Sequence, residues 1–552
     1  MQIDIEVQGV WLLVPARSGS KGIPGKNVRS LNGRPLVCHV VERMRKAFPA
    51  SRIIVSTDGD TIAHVVEGFA TIHNRGSDLA GDAVTLDTVA SDVASWLCDE
   101  HGADPSDILL TIQPTSPFLS IDAVKESIEM MRSGSASVIS VKDDRHLRWT
   151  VDEHNDSKPL FDERVNRQWM DPVYAETGGI IGSTIGRIIH TGTRIHDPVG
   201  LIELDDREGL DIDTFSDWAA AEYLAQQKRV VIRADSKPDI GMGHVYRAVA
   251  LARELADHDL QIVTRADGEY KLGYSFLADQ PYEIVPIRSE NEFFEYIREV
   301  SPDLSILDIL DTDEMYMKRV RKKTRFVVSL EDLGEGARLA DIVINDLYTD
   351  LYPHSNHWYG VENAVLSPAF ETVKPNENVK ETVEEILVTF GGTDPQNLTE
   401  KTLQSVAQLD YDGNVTVVLG PGYKHGEVVL KNFGLEGRVL QSVDNMALVM
   451  RKADVALTSG GRTVTELMTL GVPTIVCCQN TRELRHTHAS SPFGVINLGL
   501  GEHVTPSGIA EHLRLLLSSS NIRLDMRRRA LQAVEGRSNR QIVERILQEL
   551  PE

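Results

Sequence analysis

Short, uniformly apolar, β-branched runs alternate with helical stretches along this chain, and that rhythm restricts its fold more than any other feature. Val10–Val14, Arg52–Thr57, Ile108–Ile112 and Ala136–Val141 form a first series. A second runs through Val230–Ala234, Gln261–Thr264, Leu304–Asp308, Phe326–Leu330 and Asp341–Asn345. A third comprises Ile386–Phe390, Val415–Leu419, Asp454–Thr458 and Thr474–Cys478. Helical patterns such as Tyr246–Leu255 and Thr399–Gln408 fall between them. Strands that are apolar on both sides are covered on both sides, so the alternation predicts α/β domains with parallel sheets between helices. The helix-like Phe215–Gln227 ends in Lys228-Arg229 and a fresh strand follows at once, which predicts domains 1–228 and 229–552. The polar stretch Val373–Glu384 reads as a linker dividing the second into lobes of about 229–372 and 384–552.

The composition, 41% hydrophobic and 25% charged, is globular and excludes a disordered chain. With 82 acidic against 57 basic residues the net charge is −25, which argues against a surface built for nucleic acid or anionic membrane. Any phosphate site must be a local basic pocket. No apolar run reaches the ~18–20 residues of a membrane span, and MQIDIEVQGV lacks the pattern of a secretory signal. Cys38, Cys98, Cys477 and Cys478 have neither zinc-site spacing nor disulfide density. A reducing, cytoplasmic compartment is expected, with Cys477 and Cys478 as buried strand thiols.

Directly after the first run comes PARSGSKGIPGKN, residues 15–27. Gly19, Gly22 and Gly25 allow tight turns and exposed N–H groups, and Arg17, Lys21 and Lys26 add positive charge. At the carboxyl end of a parallel strand this is a cradle for a triphosphate. It is not GxxxxGK[ST], because Ser20 stands at the first glycine position and Asn27 follows Lys26, and GxGxxG is absent. Farther on, Asp211 and Asp213 are two apart, so in extended backbone both carboxylates face one side and can share a divalent ion. Alternatively Asp213 caps the following helix, where Thr214 and Asp217 resemble a capping box.

PARSGSKGIPGKN resembles the signature loop of CMP-sialic acid synthetases and related sugar-acid cytidylyltransferases. The resemblance covers about residues 9–226, through VSTDGDTIA (55–63), RGSDLAGD (75–82), QPTSPF (113–118) and LDIDTFSD (210–217). It implies a Rossmann-like nucleotidyltransferase domain that joins CTP to a sugar acid with release of pyrophosphate. Lys21, Asp211 and Asp213 would be catalytic, the two aspartates holding Mg²⁺ (or Mn²⁺). CTP would lie on Arg17, Ser18, Gly19, Lys21, Lys26 and Asn27, with its base at Arg75 and Asp82. Gln113, Arg167 and Gln168 would face the sugar acid, the last two from a protruding segment that forms a homodimer through this domain. Where relatives often read Tyr-Arg-x-Asn-Gly, this chain has Tyr174-Ala175-Glu176-Thr177-Gly178.

In the second unit, SKPDIGMGHVYRAVALARELA (236–256) follows a strand. Gly241 and Gly243 shape a turn into a helix, and His244 near its N-terminus suits a pyrophosphate-linked sugar; a helix N-terminus favours the neutral imidazole, able to take a proton. FGGTDPQN (390–397) can offer N–H groups to a diphosphate. In TSGGRTVTELMTLGVP (458–473), Gly460 and Gly461 precede a helix carrying Glu466, placed to accept from ribose hydroxyls. Residues 229–552 resemble the PseG-like UDP-sugar hydrolase of pseudaminic acid biosynthesis, which implies a two-lobed GT-B fold. The resemblance makes His244 the general base, Asp235, Gly243 and Arg247 the shapers of the turn, and Gly241, Gly392, Thr393 and Glu466 the UDP-sugar contacts. Relatives read Asp-His-Tyr where this chain reads Asp308-Ile309-Leu310.

Together these features imply a bifunctional enzyme of nonulosonic (sialic-acid-like, as pseudaminic or legionaminic acid) sugar biosynthesis. It would make a CMP-sugar acid and hydrolyse a UDP-amino-sugar, with small-molecule substrates and no nucleic-acid or membrane partner. The alternatives for the second unit are a GT-B glycosyltransferase and a non-catalytic UDP-sugar-binding module.

Overall fold

The computed structural model describes residues 7–19, 22–81, 83–237, 241–348, 356–441, 443 and 445–551. The chain forms two compact units, 1–226 and 227–552.

The first unit is built on β1 (Val10–Pro15), β2 (Ile53–Thr57), β3 (Thr71–Asn74), β4 (Ile108–Ile112), β5 (Ser137–Asp143), β6 (Tyr174–Thr184) and β7 (Val199–Glu203), in the order β7-β5-β6-β4-β1-β2-β3. Leu12 and Val14 pack toward α1 (Leu36–Met44) and α3 (Ile121–Arg132), while Trp11 and Leu13 pack toward α2 (Leu86–His101). Both faces are covered, which is why the run is apolar at every position. One strand of this sheet departs from the expected parallel arrangement. Strand β6 runs antiparallel to both β4 and β5. It is reached by the long connection 144–173 instead of a crossover helix, so the chain re-enters the sheet at the end where β5 leaves it, with Tyr174 beside Asp143. α4 (Phe215–Gln226) closes the unit.

The second unit is two-lobed and GT-B-like. Its first lobe holds β8 (Arg229–Ala234), β9 (Asp259–Arg265), β10 (Glu283–Ile287), β11 (Leu304–Asp308), β12 (Phe326–Leu330), β13 (Ile342–Asn345) and β14 (His357–Tyr359), all parallel, ordered β10-β9-β8-β11-β12-β13-β14. Ile232, Ile306 and Val328 are covered by Val245, Ala248 and Leu251 of α5 (Gly243–Glu254). The second lobe holds β15 (Glu385–Thr389), β16 (Asn414–Leu419), β17 (Glu436–Gln441), β18 (Val455–Thr458), β19 (Thr474–Cys478) and β20 (Val495–Leu500), ordered β17-β16-β15-β18-β19-β20 and parallel throughout. α6 (Leu398–Val406) and α7 (Thr463–Thr469) follow β15 and β18. The last helix, α8 (Asn539–Glu549), returns to the first lobe, where Ile542, Val543 and Ile546 enter its core. Buried Arg523 donates to the carbonyls of Lys380 and Glu381 and so pins the linker between the lobes.

Cys477 and Cys478 are buried on β19 without a disulfide, and burial pushes their thiols up to about 12 and about 11. No helix among the described residues is long and apolar enough to cross a membrane.

Candidate active sites

In each sheet the strand order reverses beside its first strand, and ligands of such sheets bind at the carboxyl ends flanking that point. In the first unit the point lies between β1 and β4, and the segments singled out in the sequence meet there. Ser18 donates from both its N–H and its hydroxyl to Asp58, just past β2, at 2.8 and 2.7 Å. Asn27 donates from its amide to the Arg17 carbonyl at 2.9 Å. Both residues spend these donors on shaping the loop. Lys26 reaches across to the Ile212 carbonyl (2.7 Å) and the Asp213 carboxylate (3.1 Å). A side chain at Gly22 would place its first carbon 2.4 Å from the Asp213 carbonyl, so the loop lies directly on that segment. The Ile212 N–H in turn donates to the Thr115 carbonyl at 3.0 Å.

The helix cap falls to Thr214, not to Asp213. The Thr214 hydroxyl accepts from the Asp217 N–H, and the Asp217 carboxylate accepts from the N–H groups of Thr214 and Asp213. The reciprocal box leaves the Asp213 carboxylate outside the cap, 71% exposed and paired with Lys26. Asp211 is set deeper. Burial pushes its carboxyl up, the neighbouring charge of Asp213 adds to this, and Asp211 Oδ1 has no hydrogen-bond partner among the described residues. A buried carboxylate oxygen without a donor, beside a second carboxylate, fits a divalent cation. Gly178, at φ +71°, keeps this corner open: a side chain there would come 2.7 Å from Gln113 Nε2 and 3.8 Å from Asp211 Oδ2.

The remaining first-unit residues separate. Lys21 and Asp82 lie outside the described residues. Arg75 is buried and holds Ser56, donating to its carbonyl at 3.0 Å, while its own N–H donates to the Thr57 carbonyl. Arg167 and Gln168 sit on an exposed turn, with Arg167 3.6 Å from Asp143 at the end of β5, and no hydrogen bond or ion pair of either with Gln113 or Asp211 occurs among the described residues. Gly19 is open on its Cβ side.

In the first lobe of the second unit the reversal lies between β8 and β11. Ser236 donates to the carbonyl of Gly241, which lies in the left-handed region at φ +73°, and the turn delivers Gly243 and His244 to the start of α5. His244 Nδ1 is 2.5 Å from Asp308 Oδ1 at the end of β11, and both residues are buried. Arg247, one turn along α5, donates through Nε to Asp308 Oδ2 at 2.6 Å. Burial alone would push Asp308 up; the Arg247 guanidinium outweighs it and holds the carboxyl below the usual range. An ionised carboxylate only accepts, so Nδ1 carries a proton, and in the neutral imidazole the lone pair is then on Nε2. That is the form a general base requires. Asp235 is pinned between Arg233 (2.6 Å) and the Arg265 N–H (2.8 Å).

In the second lobe the reversal lies between β15 and β18, where the two glycine pairs fall. The Gly392 carbonyl accepts from the Gly422 N–H at 2.8 Å, and the space beyond the Gly392 Cα is open. Next to Thr393, Asp394 caps α6 by accepting from the Leu398 and Thr399 N–H groups. Glu466 on α7 is half-buried, and loss of water pushes its carboxyl up to about 7. No hydrogen bond to that carboxylate occurs among the described residues.

Sequence reasoning missed the charged group that spans the two lobes. Asp308, Glu331 and Asp346 stand at the carboxyl ends of the adjacent strands β11, β12 and β13. Arg462, between Gly461 and α7, donates to both Asp346 oxygens at 2.8 and 3.0 Å and to Glu331 at 2.6 Å. Glu331 also accepts from Arg247 at 3.3 Å. Burial works against the Glu331 charge, but Arg462 and Arg247 outweigh it and hold the carboxyl well below its usual range. An arginine directly after a double glycine was the available signal; its partners belong to no motif.

Residues 11–173 match the cytidylyltransferase family, and residues 386–530 match the glycosyltransferase family 28 C-terminal domain. The chain is 32% identical over 225 residues to the CMP-N,N'-diacetyllegionaminic acid synthase of Legionella pneumophila, which covers 39% of this chain and 96% of that protein. It is 29% identical over 326 residues to the spore coat polysaccharide biosynthesis protein SpsG of Bacillus subtilis, covering 56% of this chain and 94% of that one. An uncharacterized protein of Methanocaldococcus jannaschii, MJ1062, is 28% identical over 273 residues; the match covers 46% of this chain and 56% of that protein's length.

Proposed function

The first unit belongs to the cytidylyltransferase family and the second carries a glycosyltransferase family 28 C-terminal domain, and from that premise we propose a bifunctional enzyme of nonulosonic (sialic-acid-like) sugar biosynthesis. The observation that carries the first activity is the meeting of the loop 15–27 with Gln113, Asp211 and Asp213 at one sheet end. A sugar acid's anomeric hydroxyl attacks the α-phosphate of CTP and pyrophosphate leaves. Loop N–H groups with Arg17, Lys21 and Lys26 neutralise phosphate charge, and Gln113 orients the sugar acid. Asp211 and Asp213 would hold Mg²⁺ or Mn²⁺, which supplies further charge neutralisation at the phosphates when bound. The similarity to a legionaminic acid synthase supports a nine-carbon acid as substrate. Pyrophosphate release from CTP only when such an acid is added tests this reading.

In the second unit His244 Nε2 takes a proton from water as the anomeric C–O bond to UDP breaks, while Asp308 holds the ring through Nδ1–H. Gly392 and Thr393 face the diphosphate and Glu466 the ribose. The family 28 match favours a second reading, transfer to an acceptor hydroxyl through the same base. UDP release with water alone supports hydrolysis; release only with an added acceptor supports transfer.

Glu466 gives this unit a pH signature. Burial pushes the carboxyl up to about 7, so it is ionised above that pH and protonated below it. The ionised form accepts from both ribose hydroxyls, whereas the protonated form gives up part of that capacity. UDP affinity should therefore weaken about fivefold as pH falls through 7, and Glu466→Gln should flatten that change. Calorimetric titration of both proteins across this range checks it; parallel profiles would remove Glu466 from the ribose site.

The first unit exposes Trp149, Leu160, Trp169 and Val173 on the segment between β5 and β6. Apolar side chains concentrated on one exposed connection support a homodimer formed through this unit. Sedimentation velocity of the full chain should show a dimer, and a monomer at micromolar concentration would contradict it.

A further inference from the structure

We propose that Glu331 is a positioning residue for the His244–Asp308 pair, acting through Arg247 and tying that pair to Arg462 of the nucleotide-binding lobe. The inference rests on the assignment of His244 as the base of the second unit. Among the described residues, Glu331 is the single carboxylate that accepts from both guanidinium groups, at 3.3 Å from Arg247 and 2.6 Å from Arg462. Arg247 holds Asp308 through Nε and Nη2, and Asp308 holds His244. A continuous set of charged contacts thus runs from the start of α7, beside Gly460-Gly461, to the imidazole in the other lobe.

The backbone marks the same residue. Glu331 sits at φ +54°, a left-handed conformation that a residue with a side chain adopts at a cost. The strain is held in place by the Glu331 N–H on the Ile344 carbonyl and by Arg482 on the Glu331 carbonyl. Glycine would occupy this position without strain. A glutamate here is explained by its carboxylate, whose hydrogen bonds among the described residues come from the two arginines. Arg462 would remain held by Asp346 without it, so holding the lobes together does not by itself require Glu331.

The test is Glu331→Gly in the full chain, which removes the carboxylate and suits the backbone. The variant should melt within about 4 °C of the parent, because relieved strain offsets a lost ion pair. The downfield ¹H NMR resonance of the His244 Nδ1–H proton, assigned by its loss in Asp308→Asn, should broaden or disappear in Glu331→Gly. UDP release should lose about 10²-fold in kcat, the effect of misplacing a base by about an ångström, with KM within about threefold of the parent. The isosteric Glu331→Gln should give the same two losses and serves where the glycine variant does not fold. A folded variant with an unchanged Nδ1–H resonance overturns the proposal, as does an unchanged kcat where the parent releases UDP. If the parent releases no UDP from any UDP-sugar, the hydrolase reading fails alone, and the resonance still decides whether Glu331 positions His244.

Discussion

Asp211→Asn should lower CMP-sugar formation by about 10³-fold or more while leaving the first unit folded. The wild-type carboxylate is half-buried, raised by that burial, and has a buried oxygen without a hydrogen-bond donor among the described residues. Replacing it by a neutral amide of the same shape removes a desolvated charge, so folding has little to lose. The reaction would lose, because a divalent ion proposed to be held by two carboxylates would be left with one. Charge stabilisation by such an ion is worth several kcal/mol at a phosphoryl centre, and each 1.36 kcal/mol is tenfold in rate. Asp213→Asn should follow the same course with a smaller effect on metal affinity, since that carboxylate is exposed and already shared with Lys26. Initial rates of pyrophosphate release against metal concentration check this. A variant that keeps most of its metal-dependent activity would show that neither carboxylate is a ligand.

His244→Asn should cut UDP release by about 10²–10⁴-fold, the usual worth of a positioned general base. Asparagine can still donate to Asp308, so the buried carboxylate keeps a partner and the turn keeps its shape. What disappears is the lone pair on Nε2. UDP affinity should hardly change, because the contacts proposed for the diphosphate and ribose, Gly392, Thr393 and Glu466, lie in the second lobe, and cytidylyl transfer should not change at all. An unchanged rate of UDP release, with a substrate the parent turns over, would remove His244 from the mechanism.

The loops to which the two chemistries are assigned in the proposal were legible because each follows an apolar run, and the carboxyl end of a parallel strand is where such loops serve ligands. The residues that complete each site were less so. Asp308 ends a strand that is neighbour to β8 only because the sheet order reverses there, and strand order is not written in the local pattern. Glu331 and Asp346 follow ordinary strands, and nothing in their surroundings announces that Arg462 reaches them across the lobes. The choice between cap and ligand at Asp213 was open in the sequence because Thr214 adjoins it, and only the hydrogen bonds assign the cap to Thr214. Strand β6 escaped notice because glycines and polar residues dilute the apolar pattern of YAETGGIIGST, although it lies between two strands of the core.

The most direct measurement places the full chain with CTP, a divalent cation and a panel of nine-carbon sugar acids, and follows CMP-sugar and pyrophosphate by ³¹P NMR. The two products should appear in equal amounts, only in the presence of a sugar acid, with the signal abolished by Asp211→Asn and untouched by His244→Asn. Failure of every sugar acid to release pyrophosphate, or full activity in Asp211→Asn, would contradict the assignment of cytidylyl transfer to the first unit.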